Sequence, residues 1–450
     1  MLKIKKIKQS LNTCISDLCN NPFEFLNNPP SDFKRKRKLS ISKIIKLILY
    51  MSGGTLHKEL LDFFDFSKNT PTASAFVQQR SKIKWSAFEF LFHSFNKSAN
   101  NTKLYRGYRL LAVDGSDLHI PTNPDDKDSF YPGTNGQKSY NLLHLNAMYD
   151  LMNNTYADAI IQKSHKMNEY RAFSDMIDRY KNDRPAIFIA DRGYESYNNM
   201  AHVQEKGQFF LIRIKDINGK GIASGLTLPD CEFDISHSFK LTRKQTNSVK
   251  DSDIYKFIPH TSTFDFLPDK CRKSINVLPY NLHIRFVRFK ITDDTYELIA
   301  TNLSNEQFSP VEIKKLYSMR WGIETSFRDL KYTIGLLHFH SKKTEHIYQE
   351  IFAKLIMYNY TELITACSVI EQNKKYQYKV NFSVAAYICR CFFVGKISFN
   401  KLRIQLNNHI LDSFKDELTQ GVSDINIHKS RGQFENHYSD ALFPIKFQLF

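Results

Sequence analysis

Tyr317, Arg320, Glu324 and Lys331 lie in the stretch YSMRWGIETSFRDLK, residues 317–331, at steps of three, four and seven. At about 100° per residue these four fall within an arc of about 60° on a helical wheel. Leu316, Met319, Ile323, Phe327, Leu330 and Ile334 fill the adjoining arc, so the apolar side packs down and the polar row runs along the edge of a core. At ~1.5 Å rise per residue the row spans roughly 20 Å. A phosphodiester chain can lie along such a row. The guanidinium and ammonium suit phosphate oxygens, and the phenol can donate to one. Glu324 is the odd member. A carboxylate fits among phosphate binders if it holds a metal ion that the phosphate also touches.

One carboxylate does not hold catalytic Mg²⁺ alone. Two-metal phosphodiester chemistry needs several carboxylates around ions roughly 3.5–4 Å apart. Asp114 closes the apolar run LLAVDGS, and Asp191 closes IFIADRGY. Both are expected at strand ends, where neighbouring strands of a mixed sheet can bring them together. Glu324 then comes from a helix packed across that sheet. The expected metal-holding and catalytic residues are Asp114, Asp191 and Glu324. The expected phosphate-binding residues are Tyr317, Arg320 and Lys331. Asp117 is a rival to Asp114 further along the same strand. Asp329 is a rival to Glu324 but lies about 140° round the wheel. Trp321 flanks the row and reads as core or DNA-backbone packing; His119, His144 and His165 read as ordinary polar residues.

Three kinds of pattern must position these groups. Residues 1–105 read as short helices, with Thr72 a plausible N-cap before ASAFVQQR and a basic run FKRKRK at 33–38. Several helices with a basic arm suit a DNA-end-binding region. Residues 106–215 give strands RLLAVDGSDLHI, HLNAMYD and TYADAIIQK, helix NEYRAFSDMIDRY, strand PAIFIAD, helix YNNMAHVQEKG and strand QFFLIRIK. That order is a mixed α/β sheet covered by helices. Residues 216–304 read as an all-β insertion. Residues 305–372 carry the glutamate helix, beginning near Ser309–Pro310, and a second strong helix from Ile347. Residues 373–450 form a C-terminal region with one helical patch, FSVAAYICRCFF.

The chain has 450 residues, 63 Lys and Arg against 46 Asp and Glu, and a formal net charge of +17. A globular protein this basic meets a polyanion, with nucleic acid the first candidate and an anionic membrane surface the second. No uninterrupted apolar run reaches the roughly 18–20 residues of a membrane span. The basic start lacks an apolar signal core, so a cytoplasmic, nucleoid-associated protein is expected. The seven cysteines are scattered without paired CxxC knuckles, which argues against a zinc site. Paired acids could also serve a glycosidase, but the phosphate-gripping Arg and Lys and the positive charge argue against that.

The motifs VDGS, ADRGY and YSMRWGIETSFRDLK together resemble the DDE transposases of the insertion-sequence-four family. The tyrosine–arginine–glutamate–lysine signature of that family has the spacing seen at Tyr317, Arg320, Glu324 and Lys331. QQR at 78–80 and HFHSKK at 338–343 resemble its flanking segments, and the resemblance covers about 70–370. It implies an RNase H-like core interrupted by the β insertion, two Mg²⁺ or Mn²⁺ ions, and cut-and-paste movement of DNA bounded by terminal inverted repeats. A homodimer is expected because a transposon has two ends. Related enzymes stack a flipped base on a tryptophan in the β insertion. Here the only tryptophans are Trp85 and Trp321, so either another aromatic serves, with Tyr296 and Phe286 as candidates, or the hairpin step differs. Two alternatives stay open: a metal-dependent nuclease without strand transfer, and a sequence-specific DNA-binding protein with a decayed core.

Overall fold

The computed structural model describes residues 2–35, 37–98, 103–134, 136–181, 184–250, 252–268, 278–292, 295–367 and 381–406. Five helices come first: α1 (Leu2–Asn20), α2 (Ile41–Tyr50), α3 (Leu56–Phe63), α4 (Ala73–Arg80) and α5 (Ser86–Ser98). Ser40, Thr55 and Thr72 cap α2, α3 and α4, each side chain accepting from the backbone N–H three residues on. The cap at Thr72 is the one its sequence context predicts.

Ten strands form one sheet among the described residues. They are β1 (Arg109–Ile120), β2 (Phe130–Tyr131), β3 (Tyr140–Asp150), β4 (Thr155–Lys163), β5 (Ala186–Ala190), β6 (Phe209–Ile214), β7 (Phe233–Thr242), β8 (Tyr255–Phe257), β9 (Tyr280–Thr292) and β10 (Thr295–Thr301). The order is β2-β3-β1-β5-β6-β10-β9-β7-β8, with β4 also on β3. β1, β5 and β6 run parallel, and β3 is antiparallel to β1. Leu110–Val113 and all of β5 are fully buried, as expected of central strands covered on both faces. The strands between 233 and 301 continue this sheet, because β10 pairs antiparallel with β6 from Leu298↔Ile214 to Thr301↔Leu211.

Helices α6 (Glu169–Arg179) and α7 (Tyr197–Glu205) cover one face, and α8 (Asn247–Lys250) is a short turn beside β8. Met176, Ile177, Met200 and Val203 pack there against Leu111, Val113, Phe188 and Ala190. The other face receives α9 (Pro310–Ser318) and α10 (Trp321–Arg328), followed by a π-helical turn, Asp329–Thr333. Ser309 and Glu312 form a capping box at the start of α9, which fixes where this segment begins.

α11 (Thr344–Thr365) buries residues on every side, polar ones such as Gln349, Glu350 and Asn359 among them, the mark of a helix enclosed by its neighbours. One side meets the sheet: the Tyr149 and Tyr358 hydroxyls lie 3.0 Å apart, and Asn359 accepts from the Tyr156 N–H at 2.8 Å. The other side meets the N-terminal helices, so Ile44, Leu47, Phe88 and Phe92 share one core with Ile351, Phe352 and Leu355. α12 (Phe382–Val394) joins that core. Of the C-terminal region expected from 373, residues 373–380 and 407–450 lie outside the described residues.

Candidate active site

The two aspartates meet through strand register. β5 pairs in parallel with β1 from Arg109↔Ala186 to Val113↔Ala190. Asp114 and Asp191 follow the last of these pairs, so Asp114 on β1 stands beside Asp191 just past the end of β5, about 4.8 Å apart across the sheet by ordinary strand spacing. By alternation both share the face of Ala112 and Ile189, the face on which α9 and α10 pack. The expectation that Asp114 ends its strand is corrected: β1 continues to Ile120, paired with Asn141 of β3. β5 stops at Ala190 while β3 does not, so Asp114 sits where β1 loses one neighbour. Asp191 does follow the end of its strand.

Local hydrogen bonds fix both carboxylates. Asp114 Oδ1 accepts from the Gly115 N–H at 2.9 Å. Asp191 Oδ1 accepts from the Gly193 N–H at 2.8 Å and caps the turn Arg192–Tyr194. A Cβ at Gly115 would collide with the His144 ring and the Glu169 carboxylate, which explains a glycine directly after Asp114.

Glu324 arrives on α10. A Cβ at Gly322 would come within 2.8 Å of the Leu151 side chain, so glycine lets the first turn of α10 lie close to the sheet. The one long helix expected over the signature is corrected to three helical segments. α9 ends at Ser318, Met319 and Arg320 keep helical dihedrals but tighten to i→i+3 hydrogen bonds, α10 follows, and the π-helical turn carries Lys331. Buried Ile323, Phe327, Leu330 and Ile334 keep the apolar side against the core across these breaks.

Arg320 ties the pieces together. Its Nη2 is 2.7 Å from Glu324 Oε1 and its Nη1 is 3.5 Å from Asp114 Oδ2. Arg320 is only 6% exposed. Its Nε has no hydrogen-bond partner. Burial works against its charge, but Tyr317, Glu324 and Asp114 raise its pKa above the ordinary value. Burial pushes Asp114 up to about 7; Arg320 opposes this, while Asp191 and Glu324 add to it by repulsion. Burial also raises Glu324, against Arg320. Burial lowers Lys331, partly offset by Asp117.

Tyr317 is buried with its hydroxyl beside Arg213, yet without a well-formed hydrogen bond. Tyr194, unassigned from sequence, is a further site member. Its hydroxyl is buried and unpartnered, and Asp114, Glu169 and Asp191 are the charges that reinforce burial in raising its pKa. Its place in ADRGY, three residues after Asp191, was the available signal. Asp117 is not part of the carboxylate group: three residues beyond Asp114, it takes the opposite face and lies 2.7 Å from His144 Nδ1, while His144 Nε2 is 3.0 Å from Glu169 Oε1. That pairing raises His144 to about 9 although burial alone would lower it.

These groups fit a divalent cation by chemistry. Three carboxylates supply hard oxygen donors, and Asp191 and Glu324 add their repulsion to the burial that raises Asp114. As the side chains stand, no three His, Cys, Asp or Glu groups among the described residues enclose an ion. The guanidinium of Arg320 lies between two of the carboxylates instead.

A family model for the transposase DDE domain matches residues 105–360. The chain belongs to the DDE transposase family. It is 22% identical over 353 residues to the transposase for insertion sequence element IS231B of Bacillus thuringiensis subsp. berliner, across 72% of each chain. The cryo-EM piggyBac transposase synaptic complex with hairpin DNA is similar over 91% of this chain and 82% of that one, at a TM-score of 0.42 and 10% identity. The matched family region contains every member of the carboxylate and signature sets, from Asp114 to Lys331. No described helix of this transposase is long and apolar enough to cross a membrane.

Proposed function

We propose that this transposase binds the terminal inverted repeats of an insertion sequence, cuts the DNA at the element's ends and joins the freed ends to target DNA. Asp114, Asp191 and Glu324 would hold two Mg²⁺ or Mn²⁺ ions. Such ions polarise phosphoryl oxygens and activate water at neutral pH. Tyr317, Arg320 and Lys331 bind and orient the phosphates beside the scissile bond. Residues 106–215 and 305–372 act as the RNase H-like catalytic core, 216–304 as the β-rich insertion, and the helical region 1–105 as the end-binding part. A homodimer on the nucleoid would serve the two ends. The observation that carries this reading is the adjacency of Asp114 on β1 and Asp191 at the end of β5, with Arg320, the residue before α10, reaching both Asp114 and Glu324.

The test is incubation of the full chain with Mg²⁺, a plasmid target and duplexes bearing the repeats that flank its own gene. Footprinting of the repeats, Mg²⁺-dependent 3′-OH ends at the element boundary and joined products are expected. Boundary cuts without joined products would favour the nuclease reading. Cuts scattered without a footprint would contradict specific end recognition.

A further inference from the structure

Arg320 presents two nitrogens of one planar group to carboxylates on two different elements. Nη2 meets Glu324 on α10, and Nη1 faces Asp114 on β1. The guanidinium therefore stands where a cation shared by these carboxylates would stand. Its hold is incomplete, since Nε is buried without a partner and the Asp114 contact is the longer of the two. The ring centroids of Tyr317 and Trp321 lie 5.8 and 5.3 Å from the guanidinium carbon, so aromatic rings flank the guanidinium beside the acids. Trp321 is 39% exposed, which opens that side to solvent.

We propose that Arg320 is a tethered cation that competes with the divalent ion, and that a DNA phosphate releases the site by drawing the guanidinium off. This rests on the metal-site reading above and adds its regulation. A phosphate offers the planar fork two oxygens in the geometry a carboxylate offers. Once Arg320 turns to the phosphate, Glu324 and Asp114 are left without their cation beside Asp191. DNA and the divalent ion then bind co-operatively, each raising the other's affinity by the same factor. An idle transposase is kept from taking up ions without an end in place. A bridge formed nine-tenths of the time would weaken apparent ion affinity about tenfold.

The experiment measures Mn²⁺ binding by electron paramagnetic resonance and calorimetry on the full chain, with and without a duplex carrying the terminal repeat. Proteins are wild type, Arg320→Ala, Arg320→Gln and Asp114→Asn. Thermal melts confirm folding, with Arg320→Gln available should the alanine variant aggregate. Without DNA, Arg320→Ala or Arg320→Gln should bind Mn²⁺ about tenfold or more tighter than wild type. The duplex should tighten wild-type binding by a similar factor and leave the Arg320 variants nearly unchanged. Mn²⁺ binding that is lost in Asp114→Asn but equal in wild type and Arg320 variants would overturn the competition and spare the metal site. Absence of specific Mn²⁺ binding in every protein, with and without DNA, would overturn both.

Discussion

Replacing Glu350 with Gln tests how the helical N-terminal region is joined to the catalytic part. Arg80, at the end of α4, is buried, with Nη1 2.7 Å from Glu350 Oε1 and Nε donating to Gln349 Oε1 at 2.7 Å. The other Glu350 oxygen lies 3.1 Å from His340 Nδ1, and His340 Nε2 bonds the Gly54 carbonyl at 3.0 Å. Burial alone would raise Glu350, but Arg80 and His340 pull it from 4.5 to about 2. A folded pKa below the unfolded one stabilises above the unfolded value, and that stabilisation is lost as pH falls from 4.5 through about 2. At ~1.36 kcal/mol per unit the shift is worth about 3 kcal/mol at pH 7, in line with the roughly 3–5 kcal/mol of breaking a buried pair. The assay is urea unfolding in a Trp321→Phe background, which leaves Trp85 as reporter; its ring stacks on Phe352 with centroids 6.0 Å apart. Glu350→Gln should lose about 3 kcal/mol at pH 7, and the deficit should shrink by roughly 1–1.5 kcal/mol at pH 3.5. A deficit below about 0.5 kcal/mol, or one unchanged with pH, would refute the reasoning, since either means that Glu350 is not held ionised against Arg80.

Further outcomes follow from the same geometry. Arg320→Ala should lose charge-assisted phosphate contacts worth roughly 1.5–3 kcal/mol, read as ten- to hundredfold slower end cleavage, with Arg320→Lys recovering only part because it lacks the fork; full cleavage from a merely destabilised protein would sink the phosphate clamp. Removing residues 1–100 should leave an aggregating remainder, because α2 alone buries Ile44, Ile45, Leu47, Ile48 and Leu49, each worth about 1.5–3 kcal/mol. A soluble remainder with a sharp melt would show that the core does not need those helices. Gly115→Ala should cost about 1–3 kcal/mol by overpacking against His144 and Glu169, and an unchanged melting temperature would contradict the crowding.

The carboxylates were legible because their signals are local. Apolar runs ending in aspartate marked β1 and β5, and the signature spacing set Arg320 and Glu324 one turn apart. What stayed hidden depends on distant partners. Nothing near Asp114 says that β5 will stop at Ala190 while β3 carries β1 on to Ile120. Wheel geometry assumes one regular helix, whereas Met319 and Arg320 tighten to i→i+3 hydrogen bonds and residues 329–333 widen to a π-turn as Leu330 and Ile334 stay in the core. The pairing of Leu298 with Ile214 spans the β-rich stretch and has no short-range trace. Arg80 read as part of a family segment, and its burial against Glu350 joins residues 270 apart in sequence.

The central claim is that Asp114, Asp191 and Glu324 form one metal-dependent DNA-cutting site. It is tested most directly by Asp114→Asn, Asp191→Asn and Glu324→Gln, with end binding and end cleavage measured on the same preparations. Each variant should footprint the terminal repeat as wild type does and yield no Mg²⁺-dependent 3′-OH at the element boundary. Substantial Mg²⁺-dependent cleavage by any one of the three would remove that residue from the site and contradict the account.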